Sequence, residues 1–70
     1  MGKLPGIQHL HAIRALERAG FYVLRQSKHI IMTDGHRVIT VPRNNPINAF
    51  TMFDIVSQAG LAIERFRELL

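Results

Sequence analysis

The sequence predicts an α+β domain in which a three-stranded antiparallel sheet packs against helices, in the order α-β-β-β-α with a short helix after it. Three observations carry that prediction. Two stretches with apolar residues at helical spacing each end on a glycine. Between them lie three short runs rich in β-branched and aromatic residues. An Asp-Gly pair joins the second and third runs and marks a hairpin.

The first helix is expected over residues 8–19. Leu10, Ile13 and Leu16, with Ala12 and Ala19, fall on one side of a 3.6-residue wheel. Gly20 then fits the position where a left-handed residue closes a helix. No Ser, Thr, Asp or Asn opens the segment, and Gln8 is a weak cap. On the polar side His11, Arg14 and Arg18 are three and then four apart, so they form a stripe, with Glu17 beside Arg14. Such a stripe is either an ordinary solvated face or a phosphate-contacting one.

Residues 21–26, FYVLRQ, read as the first strand. The stretch 25–42, RQSKHIIMTDGHRVITVP, follows as two strands around a turn. Ile30, Ile31 and Met32 precede Asp34-Gly35, and Val38, Ile39, Thr40 and Val41 come after it. Asp-Gly is the signature of a two-residue type I′ turn, with positive φ at both positions. Pro42 cannot donate to a ladder and ends the third strand. Alternation puts His29, Ile31 and Thr33 on one face, and Lys28, Ile30 and Met32 on the other. His29 therefore sits at the end of the hairpin opposite the turn. Both faces are apolar at their centre, so the face away from the helices is expected to meet a partner.

Residues 43–48 form a polar loop. Thr51, with Asp54 three residues on, fits a variant capping box and predicts a helix over 52–59. Met52, Ile55, Val56 and Ala59 would face inward, and Gly60 would close that helix. In the tail, Ile63, Phe66, Leu69 and Leu70 are at helical spacing and would cover one end of the core.

Seventy residues make a single domain, 1–70, whose core alone supplies about 3–5 kcal/mol. There is no cysteine, hence no disulfide and no thiolate metal site. No apolar run approaches the ~20 residues that span a bilayer, and MGKLPG lacks the apolar stretch of a secretory signal. The expectation is a soluble cytoplasmic domain with no membrane contact. Nine Lys and Arg against five Asp and Glu give a net charge of +4 and a pI near 10.8. Seven of the nine are arginine, whose rigid fork suits phosphate, so nucleic acid is the leading partner class. His9 and His11 point about 200° apart on a helix and are poorly placed to share an ion. No serine or cysteine nucleophile constellation, carboxylate pair or glycine-rich phosphate loop is present. No metal or small-molecule cofactor is expected.

The order of elements, with the residues KLPG and AIRALERAGF, RQSKHIIM, ITVP, and FTMFDIVSQAGL with IERFRELL, resembles the HicA (YcfA-like) family of bacterial toxins over nearly the whole chain. The resemblance implies a fold like the double-stranded RNA-binding domain. It implies a ribosome-independent mRNA interferase, a metal-independent endoribonuclease masked by a HicB-type antitoxin. The residue carried over as catalytic is His29. Where the family usually has Gly-Ser-His, this chain has Ser27-Lys28-His29.

Cleaving RNA without a metal needs a base for the 2′-OH proton, an acid for the leaving oxygen, and cations around the phosphate. Histidine can do either proton job near neutral pH. Lys28, Ser27, Arg25 and Arg43 are the candidates for RNA binding near His29, with Arg14 and Arg18 on the first helix. The other reading of the same fold is a non-catalytic RNA-binding module, which binds in a salt-dependent way and does not cut.

Overall fold

The computed structural model describes residues 6–70. Residues 1–7, MGKLPGI, read from the sequence as a loop or short extended lead-in carrying Lys3, and most of that segment lies outside the described range. Helix α1 spans His9–Arg18. Strands β1 (Tyr22–Gln26), β2 (His29–Thr33) and β3 (Val38–Pro42) follow, then α2 (Ala49–Gln58) and α3 (Ile63–Leu69). The strands form one antiparallel sheet in the order β1-β2-β3. This is the α-β-β-β-α arrangement with a further short helix. No helix among the described residues is long and apolar enough to cross a membrane.

Alternation along the strands divides the sheet. Ile30 and Met32 of β2, with Ile39 and Val41 of β3, are buried against the helices. Ala12, Ile13, Ala15 and Leu16 of α1 meet them, as do Met52, Ile55 and Val56 of α2 and Phe66 and Leu69 of α3. Both α1 and α2 pack on β3, and α3 packs against both helices. Two apolar residues placed inward by periodicity stand outward instead. Leu10, at the margin of the α1 stripe, is 56 % exposed, and Leu70, one residue past the end of α3, is 45 % exposed.

Both helix closures follow one geometry. The N–H of Gly20 donates to Glu17 O and that of Phe21 to Leu16 O; Gly60 donates to Ser57 O and Leu61 to Val56 O. These are Schellman closures, with φ of 101° at Gly20 and 75° at Gly60. Phe21, the residue after the first closure, is buried rather than in the strand, which begins at Tyr22.

The start of α1 is as expected, and that of α2 is not. Gln8 stands at the α1 cap with no side-chain bond, and Asn45 Oδ1 accepts from the His9 N–H at 3.0 Å. The cap therefore comes from a residue 36 positions away. Helix α2 begins at Ala49, not after Thr51, because Asn48 is its cap: its Oδ1 accepts from the Thr51 N–H at 2.9 Å. Just before it, buried Ile47 pairs with Ile7 through bonds of 3.0 and 2.7 Å, which anchors the 43–48 loop to the start of the described chain.

The β2–β3 connection is also longer than the two-residue turn expected. Thr33 pairs with Val38, leaving a four-residue loop, 34–37. Positive φ occurs there at Gly35 (95°) and at no non-glycine residue, so the type I′ conformation is excluded. The Asp34 carboxylate instead accepts from the N–H of Arg37 (2.8 Å) and His36 (2.9 Å). These donors hold its pKa below the ordinary carboxylate value, Arg37 contributing most. Thr33 Oγ1 donates to Arg37 O at 2.6 Å and accepts from the Gly35 N–H, which accounts for the burial of a threonine on the open face.

Candidate functional site

At the opposite end of the hairpin from that loop, β1 and β2 are joined by Ser27 and Lys28, both exposed. His29 is the first residue of β2 and is exposed. Its ring makes no hydrogen bond to any described residue, while its carbonyl accepts from the Ser27 N–H at 3.1 Å. Its cross-strand partner is Pro42, the last residue of β3. The imidazole thus stands at the rim of the sheet, on the face the helices leave open.

The pairing of His29 with Pro42 decides where Arg43 goes. Leaving β3 beside His29, Arg43 folds over the β1–β2 turn, and its Nε donates to Ser27 O at 2.9 Å. Its two Nη groups make no hydrogen bond among the described residues. They are free to meet an anion, and Arg43's fork is already oriented by the bond through Nε.

Arg25 arrives by another route. In β1 the pairs Tyr22↔Thr33 and Val23↔Met32 are followed by Arg25↔Ile31 and Gln26↔Ile30, with a register shift between Val23 and Arg25. Paired residues share a face, so Arg25 lies with Ile31 and His29 on the open side. The same face carries Tyr22, Val38 and Thr40. Val38 is 63 % exposed and Tyr22 is also exposed, so apolar surface lies uncovered on this face at its other end, next to Thr33. Five sequence candidates therefore gather at one end: Arg25, Ser27, Lys28, His29 and Arg43. The acidic residues lie elsewhere in the chain, Asp34 in the far loop and the others on the three helices.

Arg14 and Arg18 are not part of that group. Helix α1 packs on the core face of the sheet, whereas His29 lies on the open face. The two arginines line a groove of about 520 Å³ with Gly6, Ile7, Gln8, His11 and Leu70. Arg18 Nη1 also donates to the carbonyl of Leu69 in the last turn of α3, so one arginine of the stripe is a helix-to-helix tie. Of the remaining histidines, His9 Nδ1 is bonded to Asn45 Oδ1 at 2.8 Å, and His36 is exposed in the far loop.

Two contributors escape the sequence reading. Nothing in the run FYVLRQ marks a bulge, since no polar residue breaks its alternation before Arg25. Asn45 looks like any loop asparagine until the loop is folded onto α1. Comparison of the chain with protein-family models, with curated proteins and with solved structures finds no match.

Proposed function

We propose that this chain is the toxin of a type II toxin–antitoxin pair. It is an endoribonuclease of the HicA kind, cleaving mRNA in the cytoplasm without the ribosome and neutralised by a HicB-type antitoxin. The observation that carries the reading is His29: an exposed imidazole with no hydrogen-bond partner among the described residues, at a sheet rim flanked by Arg25, Lys28 and Arg43.

The chemistry follows from those groups. A ribose 2′-oxygen attacks the adjacent phosphorus, the bond from phosphorus to the 5′-oxygen breaks, and a 2′,3′-cyclic phosphate and a 5′-hydroxyl form. His29 takes the 2′-OH proton or gives one to the leaving oxygen. One imidazole cannot do both in a single step, so water serves the other role and turnover is slow. A positioned acid or base contributes roughly 10²–10⁴-fold. The guanidinium groups hold the phosphate. The same open face carries exposed Tyr22 and Val38 at its Thr33 end, which suits an antitoxin that covers the whole face, site included.

The test is cleavage of a long single-stranded RNA by the purified chain in the presence of EDTA, with growth on induction measured in parallel. Wild type is expected to cut and to arrest growth. His29→Ala is expected to bind RNA, keep its fold and do neither. An alanine variant that is still toxic removes the catalytic assignment. A non-catalytic RNA-binding module is the second reading, supported by the Arg14–Arg18 groove, which needs only cations to bind a backbone. Salt-dependent binding with no cleavage by wild type would favour it.

A further inference from the structure

We propose that the bulge in β1 exists to deliver Arg25 to the scissile phosphate, making Arg25 the second catalytic group of the site. The inference rests on the nuclease reading of His29 and deepens it. Without the extra residue at Leu24, the register set by Tyr22↔Thr33 and Val23↔Met32 would continue with Leu24 opposite Ile31 and Arg25 opposite Ile30. Ile30 lies on the helix side of the sheet, the side Gln26 occupies now, so Arg25 would stand on the face away from His29. The inserted residue moves Arg25 into register with Ile31, on the face of His29, while Leu24 is left 56 % exposed. Bulges re-aim side chains in this way and are over-represented beside active sites.

Two further observations single out Arg25. It is the one Lys or Arg in the three strands, whose sequences are YVLRQ, HIIMT and VITVP. It also makes no hydrogen bond or ion pair among the described residues, so its guanidinium is uncommitted. Because Arg25 opposes Ile31, it is the diagonal neighbour of His29 across the strand pair. Diagonal positions stand about 7–8 Å apart, which leaves room for a phosphate between the two side chains. Arg43, held by its Nε on Ser27 O with its Nη groups free, and Lys28 in the turn are left to bind the flanking phosphate backbone. Charge building on the non-bridging oxygens, as the 2′-oxygen bonds to phosphorus and the 5′-oxygen departs, is met by the Arg25 fork, while His29 handles the proton.

The experiment compares wild type, His29→Ala, Arg25→Ala, Arg25→Lys and a Leu24 deletion on one fluorescent oligoribonucleotide, with kcat and KM measured separately. Arg25→Ala is expected to lower kcat by about 10²–10³-fold, the cost of one lost oxyanion donor, with KM changed only a few-fold. Added guanidinium at millimolar concentration should restore part of the rate to Arg25→Ala and none to His29→Ala. Arg25→Lys should fall between wild type and Arg25→Ala. The Leu24 deletion should match Arg25→Ala while keeping the arginine; should circular dichroism find it unfolded, the Arg25 variants decide, since Arg25 is exposed. If wild type cuts and His29→Ala does not, but Arg25→Ala cuts at the wild-type rate or loses only KM, this inference fails and the nuclease reading stands. If wild type cuts no RNA, the nuclease reading itself fails.

Discussion

Gly60→Ala and Gly20→Ala make a matched pair of perturbations, because both residues occupy the same position of a Schellman closure. At either site an L-residue must hold a left-handed backbone, which costs about 1–2 kcal/mol. The surroundings differ. Around Gly20 a new Cβ would meet nothing within 4 Å, so Gly20→Ala reads the backbone cost alone. At Gly60 it would stand 2.8 Å from Cζ and Nε of Arg37. That side chain must swing away, and displacing a flexible, exposed arginine costs about 0.5–1.5 kcal/mol. Its backbone bonds to Asp34 and Thr33 do not have to move with it. The expected order is wild type, then Gly20→Ala, then Gly60→Ala. In a domain of this size each kcal/mol lowers Tm by about 4–8 °C. Urea unfolding followed by far-UV circular dichroism, with slopes unchanged, gives the differences. In an Arg37→Ala background the excess cost at Gly60 should vanish. An excess that survives there, or a Gly20→Ala variant as stable as wild type, would refute the reasoning.

Asn48→Ala and Asn45→Ala should each cost about 0.5–2 kcal/mol, because each removes a side-chain acceptor at a helix start; melting curves for both variants check this. Asp34 has a lowered pKa in the folded chain, so its contribution is complete above the ordinary aspartate value near ~3.9 and is lost as pH falls through the folded value. The stability gap between wild type and Asp34→Ala should therefore narrow below about pH 4, and a gap that widens on acidification in urea melts would contradict the assignment. Arg14→Ala should weaken RNA binding and flatten its salt dependence without lowering Tm, whereas Arg18→Ala should also lower Tm through its lost bond to Leu69; fluorescence anisotropy against salt and thermal melts separate the two.

Much of the fold is legible because local chemistry and tertiary packing agree there. Gly20 and Gly60 follow apolar helical stripes and take the left-handed conformation that glycine holds most readily. His29, Ile30, Ile31 and Met32 alternate as a half-covered strand should, and the burial pattern follows. The misread positions are those where two local signals compete. Asn48 and Thr51 are both good caps, and the choice falls to Asn48 because Ile47 is pinned to Ile7 immediately before it. Asp34-Gly35 suits a type I′ turn in isolation. Asp34 here serves as an acceptor for two backbone N–H groups, and Thr33 bonds to the Arg37 carbonyl, so a four-residue loop satisfies more polar groups than a two-residue one.

The candidate site is legible in part for the same reason. His29 is locally determined: the strand pattern alone puts it at the hairpin's open end. Ser27 and Lys28 adjoin it in sequence, whereas Arg25 and Arg43 are brought to it by pairing between strands. Arg43 depends on β3 ending opposite His29, and Arg25 on a single inserted residue in β1. The same pairing keeps the site apart from the stabilising contacts at the far end. Arg37, Asp34 and Gly60 meet beyond Thr33, and five strand residues at about 3.3 Å each separate that end from His29. Free energies of changes more than about 7–10 Å apart usually add. Loss of stability at Gly60 and loss of chemistry at His29 are therefore independent quantities, which is what allows a substitution at the rim to be read as chemistry rather than as unfolding.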